Sequence, residues 1–366
     1  MGNRATRQET CDAVCHDKFE NKSSDFFYDP LASFRVNNGA PVKSLKKTCY
    51  SKAKTVWPLP NHELPFFPEF PIKSVTSEHS FNVISVVSSG AYGKVLHVVH
   101  KEEAKNYAMK VLSKNMIFKE NLVQQVKVEA QIQVMCDHHP FLVRGPFRWQ
   151  NKRNLFIVTE FIEGGDLQQL WQETGCFHED LIKIYVAEIA LVLDFLHNAG
   201  IIYRDLKMEN LLIDGNGHLK LIDFGLSKWL SHGDRCDTLC GTRQYMAPEI
   251  LRLESYTHAV DWWSLGVLFY ALLRGKLPFF GNSEVPAARE TPLDFSDDDM
   301  NGGASAVDAL KRVRSLRTLK NHAFYHHFDF ESLRSKKVDP LPLVLKQKEK
   351  RRRFPDETAS NAIMFD

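Results

Sequence analysis

The sequence predicts an α+β fold in two lobes, a small strand-rich lobe followed by a larger helical one. Three observations predict it. Short β-branched runs recur between residues 81 and 158 and are punctuated by glycine, which is the pattern of strands and turns. Longer apolar segments follow, Leu181 to His197 and another within Tyr256 to Arg274, and their length suits helices rather than strands. Gly164-Gly165 separates the two regimes, so the small lobe is expected over residues 77–163 and the large one over 164–328. A chain of 366 residues can bury a core of that size.

Composition excludes several classes. Hydrophobic residues make up 43% and charged residues 25%, so wholesale disorder and collagen-like sequence are ruled out. Lys+Arg is 47 and Asp+Glu is 45, a net charge of +2. A dedicated nucleic-acid binder needs a basic excess for its phosphate contacts, so no nucleic acid is expected as a partner. No apolar run approaches the roughly 18 residues of a membrane span. The first residues lack the apolar core of a signal peptide. Seven cysteines, an odd and sparse set, suit a reducing compartment, so a cytoplasmic location is expected.

Taken in order, residues 1–76 are rich in Asn, Ser, Lys and Pro and are expected to be mostly disordered. Met1-Gly2-Asn3-Arg4-Ala5-Thr6 matches the pattern for acylation of Gly2. Arg4 and Arg7 follow, and Cys11 and Cys15 are candidates for a second lipid, so membrane association through the N-terminus is an expectation. The other reading is an ordinary Met-Gly start. The aromatic, proline-rich strip at 56–72 differs from its surroundings. Repeated proline favours extended backbone there. Exposed aromatics are a liability, so the strip is expected to pack on the domain that follows. The alternative is a proline-rich ligand for another protein.

Strands are expected at Phe81–Val87, Val95–Val99, Tyr107–Leu112 and Leu155–Val158. Between the last two, residues 121 to 136 carry Leu122, Val126, Ala130 (or Val128) and Val134 at helical spacing. The helix at Leu181–His197 stops at Asn198-Ala199-Gly200. Residues 281–309 are dominated by Gly, Pro, Asp, Asn and Ser and form an irregular insert, in which Asp297-Asp298-Asp299 reads as a solvated loop rather than a metal site. Residues 329–366 read as a basic tail, with Lys346, Lys348, Lys350, Arg351, Arg352 and Arg353 close together. A solvated tail is preferred over a nuclear signal or a membrane-surface patch.

Chemistry enters with Ser88-Ser89-Gly90-Ala91-Tyr92-Gly93-Lys94-Val95. Its glycines let backbone N–H groups approach phosphates. It precedes a strand, not a helix, so it is neither a dinucleotide fingerprint nor a P-loop. Lys110 follows on an expected strand, with Glu129 on the next helix as its natural partner and Glu120, nearer that helix's start, as a lesser one. Such a lysine grips the phosphates of a nucleotide while the glutamate holds it. The segment Tyr203-Arg204-Asp205-Leu206-Lys207-Met208-Glu209-Asn210 is the most specific signal. Asp205 can orient a hydroxyl and accept its proton, Asn210 can hold a metal ion, and Lys207 can neutralise a transferring phosphoryl group. Asp223-Phe224-Gly225 offers a second metal ligand in Asp223, and Ala247-Pro248-Glu249 closes the set.

In this order the motifs resemble those of eukaryotic protein kinases, well over residues 77–280 and less well over 310–328. His139-Pro140-Phe141-Leu142-Val143, Glu163-Gly164-Gly165-Asp166-Leu167, Thr238-Leu239-Cys240-Gly241-Thr242 and Asp261-Trp262-Trp263-Ser264-Leu265-Gly266 resemble the AGC group. Pro68-Glu69-Phe70-Pro71-Ile72 and Gly175-Cys176-Phe177 look closest to the ribosomal protein S-six kinase-like members. The resemblance implies a two-lobed protein-kinase-like fold, ATP and Mg²⁺ as cofactors, and Ser or Thr of protein substrates as acceptors. Lys207 and Thr242 resemble the serine/threonine rather than the tyrosine enzymes.

The resemblance assigns further roles. Ser88, Gly90 and Gly93 would cover the phosphates. Val95, Ala108 and Leu212 would sandwich the adenine, with Thr159 as gatekeeper and Glu160 to Ile162 as hinge. Asp166 and Glu209 match positions that favour basic residues before the acceptor. Ala271 stands where a third acidic position is found, so that preference should be weaker. Thr238 would be an activating phosphosite, implying an upstream activating kinase, with Arg204 and Lys228 to receive the phosphate. Asp261 would be structural, and Glu249 would pair with Arg312, which reads equally as a surface charge beside Lys311 and Arg314.

Three departures stand out. Ser88 replaces the first loop glycine. No F-x-x-F-[ST]-[FY] motif occurs near the C-terminus, so docking of a C-terminal tail on the small lobe is not expected. Residues 281–309 lack the apolar helices expected there. The primary reading is therefore an active serine/threonine protein kinase, and the alternative is a pseudokinase-like scaffold that keeps the fold and works by binding.

Overall fold

The computed structural model describes residues 61–72, 76–90, 93–231, 233–279 and 314–353. Gly2, Arg312 and the insert at 281–309 lie outside them, as does the first part of the aromatic strip.

The small lobe is a five-stranded antiparallel sheet in the order β1-β2-β3-β5-β4. Its strands are β1 (Phe81–Gly90), β2 (Gly93–His100), β3 (Asn106–Ser113), β4 (Phe147–Gln150) and β5 (Asn154–Glu160). Register sets Ser88 opposite Val95, Val95 opposite Lys110 and Ala108 opposite Thr159. The sequence reading missed β4, because four residues are too few for alternation to stand out. Two helices follow β3. Helix α1 (Lys114–Lys119) is too short to announce itself, whereas α2 (Val123–Met135) lies inside the expected span.

Each side of the sheet has its own apolar cluster. On one side Phe81 stacks on Trp149 and Trp149 on Phe156, with Val98, Met109 and Val158. On the other, Leu112, Leu155 and Ile157 meet Ile117 of α1 and Val126 and Ala130 of α2. Phe66 and Phe70 complete this second cluster, both fully buried. The packing expected of the strip is present, but its backbone is not wholly extended. The Phe70 N–H donates to the Phe66 carbonyl at 2.9 Å, closing a tight turn that follows the short 3-10 segment Leu64–Phe66.

The large lobe is built on two buried helices, α4 (Glu179–Asn198), which follows α3 (Leu167–Thr174), and α6 (Ala259–Arg274), which follows α5 (Pro248–Leu251). Thirteen of the twenty residues of α4 are buried, which places it at the centre of the main core. Gly275, at φ +66°, takes the left-handed conformation that ends α6. Between α4 and α5 run short strand pairs, β6 (Ile201–Ile202) with β9 (Lys228–Trp229) and β7 (Leu211–Ile213) with β8 (Leu219–Leu221). Buried Glu188 accepts from His218 Nδ1 at 2.5 Å and from the Leu219 N–H at 2.8 Å, which ties α4 to β8.

The basic tail expected from residue 329 is in part a correction. Beyond α7 (Leu316–Lys320), helix α8 (Phe330–Arg334) and the first half of α9 (Leu341–Arg353) pack on the large lobe. Phe330, Leu333 and Val344 are buried in the main core. Gln347 Nε2 donates to Thr174 Oγ1 at 3.0 Å and to the Cys176 carbonyl at 3.1 Å. Lys336 Nζ pairs with Asp214 Oδ2 at 2.8 Å. The physical reason is that apolar residues at helical spacing lie among the charges, and a count of charges hides them. Lys346 and Lys348 remain exposed. Among the described residues no helix is long and apolar enough to cross a membrane.

Candidate active site

A cleft of about 340 Å³ opens between the lobes. Ser88, Gly90, Gly93 and Val95 of the β1–β2 hairpin line it, with Lys110 and Glu129 behind and Asp205 and Asp223 below. At Gly93 the close approach of β3 excludes any side chain, because an added Cβ would run into the Val111 carbonyl. Gly90 meets no such neighbour.

Lys110, on β3, points at α2. Its Nζ lies 2.6 Å from Glu129 Oε1 and 3.2 Å from Asp223 Oδ1. Glu120, the lesser candidate, is exposed at the C-terminal cap of α1. Burial pulls the Lys110 ammonium down, but the Glu129 and Asp223 carboxylates more than reverse this and hold its pKa above the ordinary lysine value. Burial pushes the Asp223 carboxyl up, yet Lys110 and the Gly225 N–H leave it below the usual range. Asp223 has φ +61°, a left-handed conformation that a non-glycine residue keeps only when its surroundings impose it.

Asp205 sits in a closed network. Its Oδ1 accepts from Thr242 Oγ1 at 2.8 Å. Its Oδ2 accepts from Asn210 Nδ2 at 3.0 Å and lies 2.9 Å from Lys207 Nζ. Lys207 also donates to Thr242 Oγ1 at 3.0 Å. Asn210 turns its amide nitrogen to Asp205, with a second bond to the Asp205 carbonyl at 2.9 Å. This leaves the amide oxygen as the acceptor end.

Beneath this loop lies fully buried Asp261. It accepts from the Tyr203 N–H at 2.9 Å, the Arg204 N–H at 2.8 Å and His197 Nε2 at 2.8 Å. These bonds hold Arg204 at φ +71°. Tyr203 is fully buried, its hydroxyl donating to the Ile222 carbonyl at 2.6 Å and its ring meeting Phe224 edge-on. It thus fixes the segment that carries Asp223. Gln125 of α2 donates to the Gly225 carbonyl.

The cleft lining leaves out five of the expected nucleotide-binding residues, and Lys207 and Asn210 as well. Ala108 and Thr159 pair across β3 and β5, and Leu212 pairs with Lys220 in β7–β8. Ile162 is half-buried in the connection after β5. Glu160 is engaged elsewhere, with Lys220 Nζ at 2.9 Å and the Arg144 N–H at 3.0 Å on its Oε1. Thr238 is exposed in the segment between Asp223 and Glu249. The Tyr256 hydroxyl donates to the Thr238 carbonyl at 2.7 Å and accepts from Arg204 Nη1 at 3.4 Å. Arg204 Nε donates to the Leu226 carbonyl at 2.7 Å. Glu249 is described, but its expected partner Arg312 is not.

Sequence reading missed the Thr242 and Asp261 contacts and the anchoring role of Tyr203. Each joins residues far apart in the chain, so no local period signals them.

Asn210 and Asp223 fit a divalent ion. Each carries a hard oxygen acceptor, Asp223 on the cleft lining and Asn210 bonded through its amide nitrogen to cleft-lining Asp205, and Mg²⁺ typically takes one or two protein ligands and completes its shell with phosphate and water oxygens. Among the described residues no group of three His, Cys, Asp or Glu could hold a metal alone.

Residues 81–299 match the protein kinase domain family. The chain is 39% identical over 296 residues to the human ribosomal protein S6 kinase-related protein, covering 77% of this chain and 72% of that one. It is 36% identical over 273 residues to the serine/threonine-protein kinase Sgk1 of Bos taurus, 71% of this chain and 63% of the relative. It is 44% identical over 211 residues to the serine/threonine-protein kinase AtPK1/AtPK6 of Arabidopsis thaliana, 58% and 45% of the two chains.

Proposed function

Because the chain belongs to the protein kinase family, we propose that it transfers the γ-phosphoryl group of Mg·ATP to Ser or Thr of protein substrates. The observation that carries this reading is that the Lys110–Glu129–Asp223 contact set lines one cleft together with Asp205, which is bonded in turn to Lys207, Asn210 and Thr242. Lys110 would hold the phosphates, kept in place by Glu129. Asn210 and Asp223 would hold Mg²⁺, which when bound neutralises charge on the phosphates. Asp205, oriented by Thr242 and Asn210, would orient the acceptor hydroxyl and take its proton. Lys207 would offset charge on the group in transfer.

Val95, Ala108, Leu212 and Thr159 would surround the base, with Glu160 to Ile162 as hinge. Asp166, whose Oδ1 caps α3 through the Gln169 N–H at 2.7 Å, and exposed Glu209 supply negative charge for basic residues before the acceptor. An upstream kinase acting on Thr238 belongs to the same reading. The test is Mg²⁺-dependent phosphorylation of a basic Ser/Thr peptide by wild type beside Asp205→Asn. Turnover by wild type alone supports the reading, and equal turnover by both removes Asp205 from it. The scaffold reading rests on residues 281–309, and no observation among the described residues favours it.

A further inference from the structure

Phe66 and Phe70 are the two ends of a tight turn closed by one backbone bond, and both are fully buried. Phe67, between them, is 45% exposed. The turn precedes the family match, which begins at residue 81. Its rings fill the space between α1, α2 and the sheet. The Phe66 ring lies 5.3 Å from Phe118 of α1, and Lys114 Nζ sits 5.3 Å over it. Phe70 shares its cluster with Val126 and Ala130 of α2 and with Leu112 of β3.

Polar contacts reinforce the seat. Glu69 pairs with Lys127 at 3.1 Å and accepts from Gln131 Nε2 at 2.6 Å, both on α2. Lys127 also donates to the Phe67 carbonyl at 3.2 Å. From β4, Arg148 Nε donates to the Glu69 carbonyl at 2.8 Å, and Gln150 Nε2 donates to the Phe70 carbonyl at 2.6 Å. The strip therefore bridges the edge of the sheet to α2.

Two relations connect this seat to the cleft. Lys127 and Gln131 flank Glu129 by two residues on either side, about 200° around the helix. The strip thus grips the outer face of α2 while Glu129 reaches inward to Lys110. In addition Leu112, Ile117 and Val126 line the cleft and also belong to the cluster that holds Phe66 and Phe70. Three side chains of the cleft wall are thus packed in the same cluster as the two rings of the strip.

We propose that residues 66–71 are a clamp in cis that sets the position of α2, with Phe66, Glu69 and Phe70 as positioning residues for the Lys110–Glu129 pair. The proposal rests on the reading of that pair as the phosphate grip. Removing Phe70 leaves a cavity behind Val126, and α2 shifts into it or loosens. Glu129 then leaves Lys110 for part of the time, and the loss is read in the use of ATP.

The experiment compares the full chain with Phe70→Ala and Glu69→Ala, and with Phe330→Ala in the large lobe as a control for general destabilisation. Kinetics are measured against ATP with a basic Ser/Thr peptide, with and without an added synthetic peptide spanning residues 61–72. Phe70→Ala is expected to lower kcat/KM for ATP by about tenfold or more, Glu69→Ala by less, and the added peptide to restore most of the loss. Phe330→Ala is expected to lower Tm and leave KM for ATP unchanged. Unchanged kcat/KM in both strip variants overturns the clamp, as does a loss that the peptide does not reverse and Phe330→Ala reproduces. If wild type itself turns over no ATP, the kinase reading fails separately. Amide exchange across residues 123–135 then decides the clamp, which stands if Phe70→Ala speeds exchange there more than Phe330→Ala does and falls if it does not.

Discussion

Thr242 Oγ1 donates to Asp205 Oδ1 at 2.8 Å and accepts from Lys207 Nζ at 3.0 Å, so one hydroxyl joins the expected base to the expected phosphoryl-neutralising lysine. The bond crosses 37 positions in sequence. It makes the geometry of Asp205 depend on how the segment after Asp223 is folded.

Thr242→Ala removes the donor to Oδ1 and the acceptor for Lys207. The Asp205 carboxylate keeps its bonds to Asn210 and Lys207 but can rotate. Misplacement of a catalytic group by about 1 Å can cost on the order of a hundredfold. The expected outcome is a fall in kcat by about ten- to a hundredfold with KM for ATP little changed, and recovery in Thr242→Ser. Steady-state kinetics of the three proteins check it. A Thr242→Ser variant as impaired as Thr242→Ala would show that the methyl group, not the hydroxyl, matters.

Asp223→Ala is expected to abolish Mg²⁺-dependent turnover while the fold persists. Asp223 is 47% exposed at its side chain, so its removal opens no core cavity. The loss of Lys110's second carboxylate is expected to weaken nucleotide binding less than turnover, because Glu129 at 2.6 Å remains. Metal titrations of activity beside a thermal melt separate the two effects. Normal turnover in the variant would remove Asp223 from the metal site.

Much of this site could be read before the fold was known. Lys110 lay on a recognisable strand, Glu129 on a recognisable helix, and Asp205, Asn210 and Asp223 in spaced motifs whose chemistry is explicit. What escaped were contacts between distant positions. Asp261 reaches Arg204 across 57 positions, and no periodicity reports such a bond. The tail was misread for a different reason. Its charges dominate the composition of 346–353, while the packing is carried by a few residues, Val344 and Gln347 among them. In the strip, proline correctly signalled a departure from long helix, but the single turn that buries Phe66 and Phe70 together is set by the groove it fills.

His139 gives a pH dependence to stability. It is 5% exposed, and its Nδ1 accepts from the Phe141 N–H at 3.3 Å, which requires the neutral ring. Burial pushes its pKa down to about 4, with Arg334, His138 and Lys220 adding repulsion. In the unfolded chain it titrates near 6.5. Between these values the unfolded state binds the extra proton, so stability is full above about pH 6.5 and falls as pH drops toward 4. The contribution is about 3 kcal/mol at most. Denaturant unfolding of wild type and His139→Asn at several pH values checks it. The variant is expected to be less stable at pH 7 and to show a flatter profile from pH 6.5 to 4, whereas an unchanged slope would remove His139 as the source.

Thr238 is exposed, and its carbonyl is tied through the Tyr256 hydroxyl to Arg204. Arg204 is also held at its backbone by Asp261, one residue before Asp205. A phosphate on Thr238 would add roughly −1.5 to −2 charges and three acceptor oxygens. The Arg204 guanidinium, with Nε on the Leu226 carbonyl and Nη1 on Tyr256 at a long 3.4 Å, has donors to spare for it. Exposed Lys228 adds a second cation on β9. Their pairing would order the segment from Asp223 to Thr242 and so steady the Thr242–Asp205 bond. Thr238→Ala is therefore expected to lower kcat by about tenfold in protein from eukaryotic cells, through the same Asp205 geometry that Thr242→Ala disturbs. Arg204→Lys keeps the charge but loses the planar fork, and is expected to retain part of the activity and lose most of the response to phosphorylation. Phosphopeptide mapping of residues 229–243 beside kinetics checks both. An active preparation without phosphate on Thr238, or equal activity in Thr238→Ala, would show that the segment is ordered by the Tyr256 contact alone.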